Sequence, residues 1–267
     1  MTLGIQDAIR WLVASAVLAA CQPPAIDLSG AEIVDLSYGY DSETIFWPTE
    51  VEGFVLEEIT AGVTEQGYYY SANRYRAAEH GGTHIDAPIH FAEGHPSVDE
   101  IPLDRLVGAG ILVDVSAACS TNPDYQIGIA DFETWEASHG RIPDGTIVLL
   151  RTGYGRHWGN RMRYLGTDEV GAAAVSKLHF PGLHPDAARW LADERAIRSI
   201  GLDTASIDYG QSELFESHQV LSERDIPAFE NLARLDQLPA MGFRVVALPM
   251  KIRGGSGGPL RAVAITR

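Results

Sequence analysis

Short apolar runs set off by turn residues dominate this chain, and they predict more strands than helices. Residues 31–36 read as a strand broken by Glu32 and Asp35, with a turn at 39–42. Residues 54–60 alternate between apolar and polar, which predicts a half-buried strand. Residues 68–75 are aromatic-rich and strand-like, and their alternate tyrosines must face opposite sides. Buried strands are expected at 110–115, 146–151 and 199–202, and two more at 243–249 and 262–265. Helices are expected at 130–138, with Asp131 near the start, and at 185–194, where Pro185 opens the first turn. No repeat and no composition break divides the mature region. The mixture predicts a single α/β domain with a mixed β-sheet over residues 31–267.

The run HGGTHIDAPIHF, residues 80–91, interrupts this pattern with chemistry. His80 and His84 have the spacing of a helical metal pair. Gly81 and Gly82 oppose a helix, at a cost of about 2 kcal/mol relative to alanine, and Pro88 breaks any continuation. The segment therefore reads as a loop entering or leaving a strand. In an extended chain His84, Asp86 and His90 share one parity and point to the same side. Imidazole and carboxylate together suit a borderline divalent cation, Mn2+ or Zn2+. Three of the four side chains suffice to hold it, which leaves one for proton transfer.

Composition sets outer bounds. The 267 residues carry a formal charge of −16, which argues against a nucleic-acid partner. Two cysteines cannot build a disulfide framework; Cys119 reads as a small buried hydrophobe. Residues 11–20, WLVASAVLAA, are too short to span a bilayer. With the ending Leu18-Ala19-Ala20-Cys21 they resemble a lipoprotein signal, which predicts a signal segment at 1–21, a lipid anchor on Cys21 and a tether at 22–30. The protein would then be periplasmic or membrane-anchored. An N-terminal amphipathic helix or an over-extended start, on a cytoplasmic protein, is the alternative. Ser206 and Ser256 lack a nucleophile-elbow pattern, so serine hydrolysis is rejected. Lys251, Arg253 and the glycine run at 254–258 fit an anion nest less well than a structural turn.

The 80–91 run resembles the signature of the metal-dependent cyclase family, His-x-Gly-Thr-His-x-Asp-x-Pro-x-His-Phe, at every fixed position. That family includes bacterial kynurenine formamidases and isatin hydrolases. PGLHPDAARWL from Pro181, GLDTASID from Gly201 and LPMKIRGGSGGPLRAVA from Leu248 extend the likeness, with His184 in place of the family serine. The resemblance implies a swivelling β/β/α-type domain and a homodimer. It implies that His80, His84 and Asp86 bind metal and that His90 shuttles protons. In two-metal formamidases a later His and Glu, twelve apart, bind a second ion; His218 and Glu230 have that spacing. In isatin hydrolases, which resemble one-metal manganese enzymes, the later His binds substrate, so His218 has two candidate roles. Trp47 lies where the family places an aromatic against the substrate ring.

These residues predict a metal-dependent hydrolase of an amide or cyclic amide C–N bond, acting on a small aromatic substrate such as isatin or N-formylkynurenine with one or two ions. Two alternatives stand beside it. One is a lactone or ester hydrolase on the same site; the other is a non-catalytic exported metal- or ligand-binding protein.

Overall fold

The computed structural model describes residues 28–266. The expected signal segment, Cys21 and most of the tether lie outside the described residues. The unit Glu32–Arg267 carries the elements that follow.

Its strands are β1 (Glu32–Asp35), β2 (Val55–Val63), β3 (Tyr69–Arg76), β4 (His84–Asp86), β5 (Val107–Asp114), β6 (Gln126–Ile127), β7 (Ile147–Arg151), β8 (Gly182–Leu183), β9 (Ser199–Leu202), β10 (Ala228–Glu230), β11 (Met241–Pro249) and β12 (Gly257–Thr266). The longer helices are α1 (Ile129–His139), α2 (Pro185–Arg195) and α3 (Glu216–Ser222). The main sheet runs β1-β12-β11-β5-β7-β9-β10-β4, and β4 pairs again with β12. Seven strands thereby close on themselves, with β1 added on β12. The mixed sheet is as expected. Its closure was not legible, because the closing strand β4 is three residues long inside the histidine motif.

Parallel neighbours need long crossovers, and helices supply them. β5, β7, β9 and β10 are parallel, and α1, α2 and α3 lie in the three connections between them. Strands buried on both faces become continuous apolar runs. Thus Ile147 and Leu149 of β7 pack with Phe229, Phe243 and Val245 in the barrel interior. Val148 and Leu150 point the other way, into a second core with Phe132, Trp135 and Leu191 of the helices. Helix α2 begins where Pro185 presets the first turn and His184 accepts a hydrogen bond from Asp186 N at 3.1 Å. Arg195 donates to both oxygens of Glu136, at 2.6 and 2.8 Å, and ties α2 to α1.

One expectation fails. Strand β2 is not half-buried: β2 and β3 pair only with each other, and almost every residue of both is exposed. Alternation appears because a hairpin keeps period-2 chemistry even where no sheet covers it. Tyr68, Tyr69, Tyr70 and Tyr75 are all exposed, so none is a core residue.

The barrel interior is filled partly by aromatic rings lying over glycines. Gly110 of β5 faces Phe243 of β11, and a Cβ there would overlap the Phe243 ring and come within 2.8 Å of Val245 Cγ2. Gly110→Ala is expected to destabilise the fold by about 1–3 kcal/mol, read as a lower urea midpoint at unchanged slope.

Candidate metal centre

The motif works because its glycines let two rings close on the backbone. Gly82 has φ +57°, and a Cβ there would lie 2.6 Å from Tyr40 Cζ; a Cβ on Gly81 would overlap the Phe46 ring. The Tyr40 hydroxyl sits 2.6 and 2.7 Å from the carbonyl oxygens of Gly81 and Thr83. The chain then enters β4, where antiparallel pairing sets Glu230 of β10 opposite His84 and Ala228 opposite Asp86. On the other edge β12 sets Gly257 opposite Asp86. His90 does not continue the strand parity. Pro88 starts a 3-10 turn, Pro88–His90, and this turn rather than the strand delivers the ring.

Two donor groups result, and they share one carboxylate. His80, His84 and Asp86 offer ligand atoms within 4.8 Å of one another, and so do Asp86, His218 and Glu230. Asp86 Oδ1 lies 2.6 Å from His80 Nδ1 and 3.3 Å from His84 Nε2. Asp86 Oδ2 lies 3.0 Å from His218 Nε2, which is 3.2 Å from Glu230 Oε1. Sequence spacing brings the first group together; helix α3 brings in His218 and strand β10 brings in Glu230.

The chemistry of these donors fits a cation. A carbonyl can only accept, so His84 Nδ1 donates to Gly82 O at 3.0 Å and Nε2 keeps a lone pair in the neutral ring. That lone pair faces Asp86 Oδ1 and Glu230 Oε2, at 3.3 and 3.5 Å. His218 repeats the arrangement. Its Nδ1 bonds Asp208 Oδ2 at 2.6 Å, and Nε2 turns to Asp86 and Glu230. Carboxylate behind imidazole, imidazole toward the ion, is the usual outer arrangement of a metal site. Groups so close together need positive charge between them, which ring protons supply in the chain without an ion and a bound cation would supply in their place.

Acidities follow the same demand. Burial pulls His84 down, but the Asp86 hydrogen bond and charge, then Glu230, hold it up at about 9. His218 is likewise held well above the usual imidazole range: burial opposes, and Asp208, Asp86 and Glu230 prevail. Burial raises Asp86, yet the His80 charge and the bonds to His218, His80 and His84 bring it well below the usual carboxylate range. Glu230 is raised by burial and by the Asp86 charge.

His90 differs from the other three imidazoles. Its ring stacks on His80 at 3.9 Å and 17°, and no hydrogen bond joins it to another described residue. Burial, with neighbouring imidazoles opposing the pull of Asp86, lowers it to about 4. It lines a cavity of about 350 Å3 whose polar wall is formed by His80, His84, Asp86, His218 and Glu230. Trp47, Phe46, Phe91 and Phe215 form the aromatic wall. Trp47 stands edge-on to Phe180 and Phe215, so it serves both wall and core. The four tyrosines of the hairpin region do not line this cavity.

Three supporting residues escaped the sequence reading. Asp208 ends the GLDTASID run but had no assigned partner. Asn231, at φ +54°, donates to Gly82 O at 2.7 Å and holds the carbonyl that orients His84. Ser256 bonds His80 Nε2 at 2.8 Å from the far end of the chain. For Asp208 the usable signal was a carboxylate closing a polar run; for the other two there was none. Cys119 is buried, with its thiol pushed up to about 12 by burial, as a packing residue should be.

A closed mixed barrel thus sets buried imidazoles and carboxylates, grouped as candidate ligands of a cation, into the wall of an aromatic cavity. The chain belongs to the Cyclase family, whose model matches residues 34–209. It is 32% identical over 207 residues to the isatin hydrolase of Roseibium aggregatum, covering 74% of this chain and 76% of that protein. It is 31% identical over 232 residues to the kynurenine formamidase of Salinibacter ruber, covering 86% and 96%. Isatin hydrolase A from Labrenzia aggregata, solved with benzyl benzoate bound, superimposes with a TM-score of 0.79 at 32% identity, covering 97% of this chain and 99% of that one.

His84 faces both carboxylates, so its loss should empty the site. His84→Ala is expected to retain less than about a tenth of the wild-type metal by elemental analysis, a ligand loss costing more than the 10–100-fold of an outer-shell change. Full occupancy in the variant would remove His84 from the ligand set.

Proposed function

We propose that the chain hydrolyses the C–N bond of a small, uncharged aromatic amide, cyclic or linear, with Mn2+ or Zn2+. His80, His84 and Asp86 would hold one ion. Asp86, His218 and Glu230 would hold a second, which favours the ligand role of His218 over a substrate role. The observation that carries this reading is the shared carboxylate: Asp86 belongs to both donor groups, at the wall of an aromatic cavity. When bound, the ion supplies Lewis acidity, bringing the pKa of water from near 16 toward about 7 and polarising the substrate carbonyl.

The residues of the chain supply the rest. Phe46, Trp47, Phe91 and Phe215 line the apolar wall against which a planar ring would lie, away from water. His90 is neutral near pH 7, so it can take a proton at a ring nitrogen and return it to the departing amide nitrogen. Asp208 holds the His218 ring in place through Nδ1.

Charge narrows the substrate. Among the described residues that line the cavity there is no Lys or Arg, whereas Glu50, Asp86 and Glu230 bring carboxylates. A substrate carboxylate away from the metal centre would be buried without a partner, which is costly. Isatin, which is neutral, fits this wall better than N-formylkynurenine, which carries an amino-acid head. A second reading, ester or lactone hydrolysis on the same residues, is favoured by the benzyl benzoate bound to the related isatin hydrolase A, since that ligand is an aromatic ester.

Homodimer formation belongs to the same reading. One face of the β2–β3 hairpin exposes Leu56, Val63, Tyr69 and Tyr75, a surface suited to a second copy. Light scattering is expected to give twice the chain mass; a monomer at micromolar concentration would remove the dimer.

With Mn2+ or Zn2+ added, wild type is expected to turn over isatin with higher kcat/KM than N-formylkynurenine, followed by absorbance. His90→Ala is expected to keep its metal and lose kcat by about 10²–10⁴-fold, the range for a general acid–base. Near-wild-type turnover in that variant would end the shuttle role. Failure to hydrolyse any aromatic amide or ester would end the reading.

A further inference from the structure

The glycine run near the C-terminus reaches the metal centre from behind. Ser256 lies between Gly255 and Gly257, and its backbone is pinned there, with Ala87 N donating to Ser256 O at 2.8 Å. Gly257 is required by contact, since a Cβ there would lie 2.5 Å from the backbone oxygen of Ile85, and Gly255 is closely faced. A Cβ on Gly257 would lie 2.6 Å from His80 Cε1, and a Cβ on Gly255 would lie 2.7 Å from Glu79 Oε1. The run therefore presses one hydroxyl between Glu79 and His80.

Hydrogen-bond roles along this line are forced. The ionised Glu79 carboxylate can only accept. Ser256 N and Ser256 Oγ both donate to Glu79 Oε2, at 3.0 and 2.8 Å. The single hydroxyl hydrogen is thereby committed, so Oγ can only accept from His80 Nε2, 2.8 Å away. Asp86 Oδ1, 2.6 Å from Nδ1, can likewise only accept, so Nδ1–H meets it in the chain without an ion; a bound cation would take the place of that hydrogen while Nε2–H stays on Ser256.

We infer that Glu79 and Ser256 are positioning residues that fix His80 as the Nε2–H tautomer and present Nδ1 to the cation. This rests on the metal reading above. It completes a pattern: Gly82 O does the same for His84, and Asp208 for His218. His80 needs such a holder most. Its side chain is 23% exposed, against 3% for His84 and 6% for His218, so water would otherwise compete for its ring nitrogens.

The test is Mn2+ binding to the purified chain, read from the loss of the free-ion EPR signal, without any substrate. Ser256→Ala is expected to weaken Mn2+ binding about 10–100-fold, and Glu79→Gln to weaken it in the same direction by less, with Ser256→Thr restoring most of the affinity. Long-range proton–nitrogen NMR of the Zn2+-loaded wild type is expected to show hydrogen on His80 Nε2, with that resonance lost or shifted in Ser256→Ala. Melting of the metal-free variants is expected to match wild type. The inference is overturned if both variants keep the wild-type Kd, if His80 carries its hydrogen on Nδ1, or if weakened binding merely follows loss of the metal-free fold in both. A wild type that binds neither ion overturns the metal reading itself, and this inference with it.

Discussion

Asp86 is a carboxylate with only 5% of its surface exposed, and the whole site is arranged around that fact. An isolated buried charge of this kind would cost more than a domain can spare. Three imidazoles and a cation site meet the demand. His80 and His84 stand on one side of Asp86 and His218 on the other, while Glu230 adds a second negative group that deepens the need for positive charge. The same electrostatics that would destabilise an apolar core here gather two donor groups that suit a divalent ion.

The barrel is the device that makes this seat rigid. Strand β4 is only three residues long, yet it is paired on both edges, by β10 and by β12. Its side chains therefore cannot slip by one residue without moving the neighbours as well. The parallel strands β7, β9 and β10 are buried on both faces and anchor this end of the ring to the helical layer. Rings packed on glycines bring the backbone close around the ligands: Phe46 and Tyr40 on Gly81 and Gly82, and the imidazole of His80 against Gly257.

The parts of the fold that were legible in advance are those with a one-dimensional signature. The strand at 199–202 has its expected bounds, and helix α2 extends one residue beyond its expected end, because proline at the first turn and apolar runs are local signals. The exposed hairpin was misjudged as half-buried, since alternation reports the pleat of a strand and not what covers it. His90 was placed on the strand face and instead comes from a 3-10 turn, because proline changes the period of the chain beyond it. Asp208, Asn231 and Ser256 carry no spacing signal toward the histidines they support.

The sequence alone determined that His80, His84 and Asp86, with His90 beside them, fall within eleven consecutive residues. It also pointed to a borderline divalent cation, the class that imidazole and carboxylate donors suit. Tertiary structure decided everything that requires two distant segments to meet. Ser256 reaches His80 across 176 positions and His218 reaches Asp86 across 132. Barrel closure by β4 fixes those meetings. Which nitrogen each imidazole turns inward is a property of its hydrogen-bond partner, and no local pattern of residues contains that partner.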